Sequence, residues 1–194
     1  TTPMALRRDA LAGAAEFVLQ AEAFARKRPP LVATVGTVHV PAGAANVIPG
    51  EAIVSLDVRH PDDAACGRAV RSLVAEAKRI ARRRRLECAW QPTMRHPATP
   101  CSPALSALLA QSVRAVQRRS LTLVSGAGHD AVVMAELTPV AMLFVRCRGG
   151  LSHHPDEYAA PADLAVALRV MTDFLGRLAR TVQAQTPTVR GWSA

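Results

Sequence analysis

The chain of 194 residues is 49% hydrophobic and carries a formal net charge of +9, enough length and apolar content for one ordinary globular domain or two small ones. No apolar run approaches the roughly 18 residues of a membrane span, and Thr1-Thr2-Pro3-Met4 lacks the basic-then-apolar pattern of a signal peptide, so no membrane partner is expected and the cytoplasm is the expected location. The cysteines Cys66, Cys88, Cys101 and Cys147 form no Cys-x-x-Cys pair, which argues against a zinc ribbon or a disulfide framework.

Thr2-Pro3 reads as a helix start, an N-cap followed by proline. Leu11, Ala14, Ala15, Val18 and Ala21 then recur at helical spacing, so a helix is expected over residues 4 to 27, stopped by Pro29-Pro30. Residues 31 to 40 are rich in Val and Thr and read as a strand. Pro41-Ala42-Gly43 and Pro49-Gly50 mark turns on either side of Asn46-Val47-Ile48. From Ala52 the pattern alternates. Ala52, Val54, Leu56 and Val58 point one way, while Ile53, Ser55, Asp57 and Arg59 point the other.

Residues 61 to 85 carry Ala65, Ala69, Leu73, Ala77 and Ile80 at three- and four-residue spacing, a long helix with a charged outer face. Its end holds the densest basic run, Lys78-Arg79 and Arg82-Arg83-Arg84-Arg85, where cations favour the helix dipole. With four Phe, two Trp and one Tyr in the chain, and none interleaved with that run, stacking on single-stranded nucleic acid has little support, and no nucleic-acid partner is expected. Residues 86 to 91 read as a further strand. Residues 1 to 92 thus spell a compact α+β unit of ferredoxin-like character.

Prolines 92, 97, 100 and 103 suggest a crossing between domains. The segment 93 to 194 then alternates: a helix over 103 to 118, a strand over 121 to 124, a loop, a short helix over 130 to 137, a strand over 139 to 145, a second loop, and a helix over 162 to 182. That order indicates a parallel α/β sheet, followed by a frayed tail from Gln183. The two loops, Ser125-Gly126-Ala127-Gly128-His129-Asp130-Ala131 and Gly149-Gly150-Leu151-Ser152-His153-His154-Pro155-Asp156-Glu157, follow the apolar runs. They sit at carboxyl ends of strands, the rim where open α/β sheets bind ligands.

Thr1-Thr2-Pro3-Met4 with Arg8-Asp9-Ala10, Thr34-Val35-Gly36, Asn46-Val47-Ile48-Pro49-Gly50, Leu56-Asp57-Val58-Arg59, the Gly128-His129-Asp130 loop and Gly150-Leu151-Ser152-His153-x-Pro155-x-Glu157 occur in one order. In that order and spacing the chain resembles the amidase, hydantoinase and carbamoylase family of M20-like metallohydrolases. The resemblance runs from residue 1 to about residue 182. It implies a ferredoxin-like α+β lid that forms a homodimer (residues 1 to 92), followed by the C-terminal part of an α/β metallohydrolase catalytic domain (93 to 194). It also implies two divalent metal ions, zinc or manganese, in the complete enzyme. The family's first half, with most of its metal ligands and its general base, has no counterpart here. The chain begins inside a motif, which suggests a truncated gene, a fragment or one part of a split enzyme.

The resemblance makes His153 the C-terminal metal ligand, with His154 as its neighbouring competitor and Glu157 as an orienting group or a solvated charge. It makes His129 a residue near the reacting carbonyl, where an imidazole could donate to a developing oxyanion; the plainer role is a helix cap, for which Asp130 is the better candidate. Asn46 and Arg59 match lid residues that hold the substrate, and a guanidinium fork suits a carboxylate. The plainer partner for Arg59 is Asp57, on the same strand face. Arg146-Cys147-Arg148 departs from the family pattern just before the second loop. The expected activity is metal-dependent hydrolysis of linear amide or ureido C–N bonds on a small carboxylate substrate. The rival is a noncatalytic remnant that folds and dimerises through its lid.

Overall fold

The computed structural model describes residues 1 to 185, so the tail beyond Gln185 lies outside the described residues. The chain divides into two compact units, Thr1–Ala98 and Thr99–Ala194. No helix among the described residues is long and apolar enough to cross a membrane.

In the first unit the expected continuous helix from residue 4 is broken. Met4–Leu6 forms one 3-10 turn, Arg7 leaves it in an extended conformation, and α1 (Ala10–Arg26) starts afresh behind Asp9. The Asp9 carboxylate accepts from the Ala12 N–H at 2.9 Å. That side chain satisfies one of the orphan donors of a helix N-terminus, so it is the true cap. The buried stripe is also rotated from the expected one. Gly13, Phe17, Ala21 and Ala25 face inward, while Leu11 is exposed. Phe17, the more deeply buried of the helix's two phenylalanines, decides the rotation, and Gly13 follows. A Cβ there would lie 2.8 Å from Leu86 Cδ1.

β1 (Val32–Thr34) pairs antiparallel with β4 (Asp57–Arg59), placing Val32 opposite Arg59 and Thr34 opposite Asp57. β2 (Val38–His39) pairs antiparallel with β3 (Ile53–Val54), placing Val38 opposite Val54. Between these ladders Val35, Gly36 and Thr37 face only Ser55 and Leu56, so the first arm carries one extra residue, a β-bulge. Ser55 brackets the bulge: its N–H donates to Thr37 O (3.1 Å) and its Oγ accepts from Thr37 N–H (2.9 Å). The inward set is the expected one. Val54, Leu56 and Val58 pack with Ala33 and Val35 against a core of Phe17, Ala21, Leu73 and Ile80.

α2 (Asp63–Arg83) opens behind Asp62, whose carboxylate accepts from Ala65 N–H, and buries Ala69, Leu73, Ile80 and Ala81. It ends in a Schellman motif: Leu86 N–H reaches Ala81 O (2.8 Å), Arg85 N–H reaches Arg82 O (3.1 Å), and Arg85 takes the left-handed φ of 59°. Basic residues fill its last turn, as the dipole favours. Glu16 on α1 accepts from both Arg83 and Arg84, tying the two helices together through residues far apart in sequence. The segment 86 to 91, expected as a strand, forms no ladder among the described residues.

In the second unit α3 (Pro103–Gln117) is capped by Ser102, with Pro103 in its first turn, and ends at Arg118 in a left-handed conformation. α5 (Pro161–Gln185) packs on it through Leu109, Val170 and Phe174, with Leu105, Val166 and Leu178 around them. Fully buried Ser112 donates to Leu108 O at 3.3 Å, so no polar atom is stranded where the helices meet. The expected parallel sheet is not formed. Residues 121 to 124 and 139 to 145 have no ladder partner among the described residues, and Leu121, Leu123 and Val124 are exposed. A strand is defined by its neighbour, and neither run pairs with the other. Ala141 and Leu143 nevertheless pack against the α3 and α5 core.

The two arginines hold the Glu16 carboxylate below its ordinary value of 4.5, mainly through hydrogen bonds from Arg83 and Arg84. A carboxylate so depressed stabilises the fold above its unfolded value, and the stabilisation is lost as pH falls through the folded value. Glu16→Gln should therefore lower the thermal midpoint at neutral pH, with the gap from wild type closing below about pH 4.5. Parallel melting curves across pH check this; a gap that persists in acid removes the ion pairs as its cause.

Candidate functional site

In the first unit, Asn46 lies exposed in the turn before β3, where Val47 N–H closes onto Ala44 O at 3.2 Å. Arg59 ends β4 on the outward face of the ribbon. Its Nε donates to Asp57 Oδ1 and its Nη2 to Asp57 Oδ2, both at 2.9 Å. This is the bidentate geometry that a guanidinium would also offer a ligand carboxylate, so Asp57 occupies the fork. The hydrogen bond from Arg59 lowers the Asp57 pKa against the opposing effect of partial burial. Both side chains are about half exposed, so the pair is screened by solvent. A groove between α1 and α2, lined by Phe24, Lys27, Arg28, Glu76 and Arg79, includes neither Asn46 nor Arg59.

In the second unit, His129 occupies the N-cap position of the short helix α4 (Asp130–Met134) but makes no capping bond, and Asp130 lies inside the first turn. The expectation of Asp130 as the cap is therefore corrected. The His129 side chain turns back along the loop instead, its Nε2 lying 2.9 Å from Ser125 Oγ. Ser125 was not singled out by sequence. Its signal was a hydroxyl four residues before a histidine across Gly126 and Gly128, which leave the intervening chain free to fold back.

The second loop is shaped by its backbone. Gly149 and Gly150 have φ of 63° and 69°, and His153 has φ of 56°. Glycine takes this conformation freely, whereas histidine does so at a cost. Glu157 offsets that cost. Its carboxylate accepts from the His153 N–H at 2.8 Å, and its own N–H donates to His154 O at 2.9 Å. The orienting role is thus the one Glu157 takes. The His154 Nδ1 accepts from Asp156 N–H at 3.2 Å, which commits that nitrogen locally. The His153 ring is exposed and has no hydrogen-bond partner among the described residues, so of the two histidines it is the one free to bind a ligand. Arg146 and Arg148 anchor the approach: Arg146 pairs with Asp163 at 3.1 Å, and the Arg148 guanidinium lies 4.4 Å from the Tyr158 ring centroid.

No group of three or more His, Cys, Asp or Glu able to hold a metal ion occurs among the described residues. One exposed imidazole, that of His153, does not fit the donor set of a two-metal centre. The residues of this chain do not by themselves fit that group.

Residues 10–177 match the model of peptidase family M20/M25/M40. The chain belongs to this family. It is 35% identical over 173 residues to an N-carbamoyl-L-amino-acid amidohydrolase of Pseudomonas sp. (strain NS671), covering 88% of this chain and 42% of that protein. To a probable allantoate deiminase of Oryza sativa subsp. japonica it is 34% identical over 215 residues, covering 96% and 44%. A solved amidase of the hydantoinase/carbamoylase family from Burkholderia multivorans matches with a TM-score of 0.83 at 34% identity, covering 91% of this chain and 43% of that one. The M20 chain described here therefore spans less than half the length of these relatives. Members of this family generally use divalent metals.

The His153 loop depends on one carboxylate. Glu157→Ala should speed hydrogen exchange at the His153 amide by about tenfold, the scale of a lost hydrogen bond to a charged group discounted for exposure. Exchange measured by NMR checks this, and an unchanged rate would mean that the glycines alone hold the turn.

Proposed function

We propose that this M20 chain contributes the lid and the C-terminal catalytic segment of a metal-dependent hydrolase of linear amide or ureido C–N bonds, of the N-carbamoyl-L-amino acid or allantoate type. The observation that carries this reading is the His153 imidazole, presented without a hydrogen-bond partner among the described residues on a left-handed turn pinned by Glu157. A side chain held this way at a backbone cost fits a ligand to zinc or manganese better than a solvated surface group. The identity to amidohydrolases acting on small ureido compounds supports it.

On this reading Asn46 and Arg59 bind the substrate carboxylate and ureido group, and His129 contacts the substrate beside the reacting carbon. Substrate carboxylate must displace Asp57 from the Arg59 fork, an exchange of one bidentate pair for another. The present residues, taken alone, do not sustain turnover, because His153 is the only matched metal ligand and no matched general base accompanies it; general-base help alone is worth about a hundred- to ten-thousand-fold. The rival reading, a noncatalytic remnant, predicts no turnover under any condition.

The purified chain, supplied with zinc or manganese, is assayed on N-carbamoyl amino acids and allantoate, first alone and then co-expressed with the N-terminal half of a relative. Turnover should arise only with the added half, fall to background with His153→Ala, and show a raised KM with Arg59→Lys, which keeps charge but loses the paired donors. Turnover by the chain alone overturns its incompleteness, and none with the added half favours the remnant.

The lid is further proposed to pair with a second copy. Val32 and Ile53 are exposed on the outward side of the ribbon, an apolar surface suited to such a partner. Light scattering should return a dimer, and a monomer at high concentration removes this part of the proposal.

A further inference from the structure

We infer that Ser125 is a positioning residue that holds His129 as the tautomer protonated on Nε2, leaving Nδ1 as the nitrogen presented to a ligand. The inference follows from counting hydrogens around one oxygen. Ser125 Oγ lies 3.0 Å from Ala127 O, 3.3 Å from Ala127 N and 2.9 Å from His129 Nε2. A carbonyl oxygen only accepts, so the contact with Ala127 O uses the single hydroxyl hydrogen. The Ala127 N–H donates to Oγ and takes one of its two acceptor positions. The remaining short contact, to Nε2, is a hydrogen bond only when Nε2 carries a proton and donates to Oγ. With one donor and two acceptor positions all used, the hydroxyl is saturated.

Two chemical consequences follow. A neutral imidazole protonated at Nε2 has only a lone pair at Nδ1, and Nδ1 has no hydrogen-bond partner among the described residues. That nitrogen accepts a hydrogen bond from an N–H or O–H group; it cannot donate to an oxyanion unless the ring gains a second proton. The short Ser–His contact therefore does not activate a serine nucleophile, since His129 donates to Ser125 and cannot take its proton through Nε2. In the neutral ring His129 is thus matched to the N–H side of an amide or ureido group, in place of the oxyanion-donor role suggested by sequence. Naming that ligand rests on the proposed function; the tautomer does not.

The test is a long-range proton–nitrogen NMR spectrum of the full chain, recorded at a pH alkaline enough for ordinary histidine side chains to be neutral. Wild type should show His129 wholly as the Nε2–H tautomer, beyond the modest preference of free imidazole, with the Nε2 proton protected from solvent exchange. Ser125→Ala should lose that protection and relax the ring to the free-imidazole mixture, and Ser125→Thr, which keeps the hydroxyl, should restore both. A wild-type ring protonated on Nδ1, or one with the free-imidazole mixture, overturns the inference, and this spectrum decides without any variant. Protection unchanged in a folded Ser125→Ala variant also overturns it. Because the readout needs neither turnover nor metal, absence of turnover even with the added N-terminal half, together with the expected tautomer, would sink the proposed activity and leave this inference standing.

Discussion

The display of His153 depends on a backbone constraint, the left-handed conformation of three residues within one nine-residue loop. Gly149 and Gly150 adopt it without steric penalty. His153 does not, since an L-residue there crowds its Cβ against the following carbonyl, at a cost of roughly 1–2 kcal/mol. The loop therefore needs a further hold, and the carboxylate of its last residue, Glu157, supplies it on the His153 N–H. Without that hydrogen bond the chain would relax and the imidazole would point elsewhere. Farther back, the Arg146 pair with Asp163 and the Arg148 contact with Tyr158 fix the entrance to the loop. The unusual Arg-Cys-Arg segment thus anchors the loop from both flanks.

The parts of the fold that were legible in the sequence are those whose burial is settled by neighbours close at hand. The alternation from Ala52 to Val58 predicted one inward face, and Val54, Leu56 and Val58 are the residues that meet the core. The helices α2, α3 and α5 lie where helices were expected, over 61 to 85, 103 to 118 and 162 to 182. The first helix failed locally. Thr2-Pro3 resembled a cap, but the Asp9 carboxylate competes for the helix start and wins through its bond to Ala12. The expected strands at 86 to 91, 121 to 124 and 139 to 145 failed for a different reason. Apolar composition records that a segment is suited to burial, whereas a strand also needs a paired neighbour, and none of these segments has a ladder partner among the described residues. Leu121 at 87% exposure shows how far suitability and environment diverge.

Arg59 illustrates a tension that sequence alone could frame but not resolve. Its fork suits a substrate carboxylate, yet Asp57 two residues earlier on the same face is a carboxylate always at hand. An intramolecular partner carries no translational cost, so an incoming ligand gains only the difference between two similar pairs. The pair is half exposed and correspondingly weak, which keeps that difference small. Asp57 then holds the guanidinium on the outward face as a partner that can be exchanged. The bulge bracketed by Ser55 sets the local twist that carries this face.

His129 and His153 of the second unit reach a similar end by different means. His153 is displayed by backbone geometry, and neither of its ring nitrogens has a partner among the described residues. His129 has an ordinary extended backbone, φ −136° and ψ 161°, and is displayed by a side-chain bond that spends one nitrogen to define the other. The distinction has chemical content. A metal ligand needs a lone pair on whichever nitrogen approaches the ion, so freedom at both is no handicap. A group that contacts a substrate must commit to donating or accepting, and a neighbouring hydroxyl with its other valences filled makes that commitment at no change in charge. The family resemblance supplied both histidines as candidates; the positions of the surrounding donors and acceptors distinguish how each ring is presented.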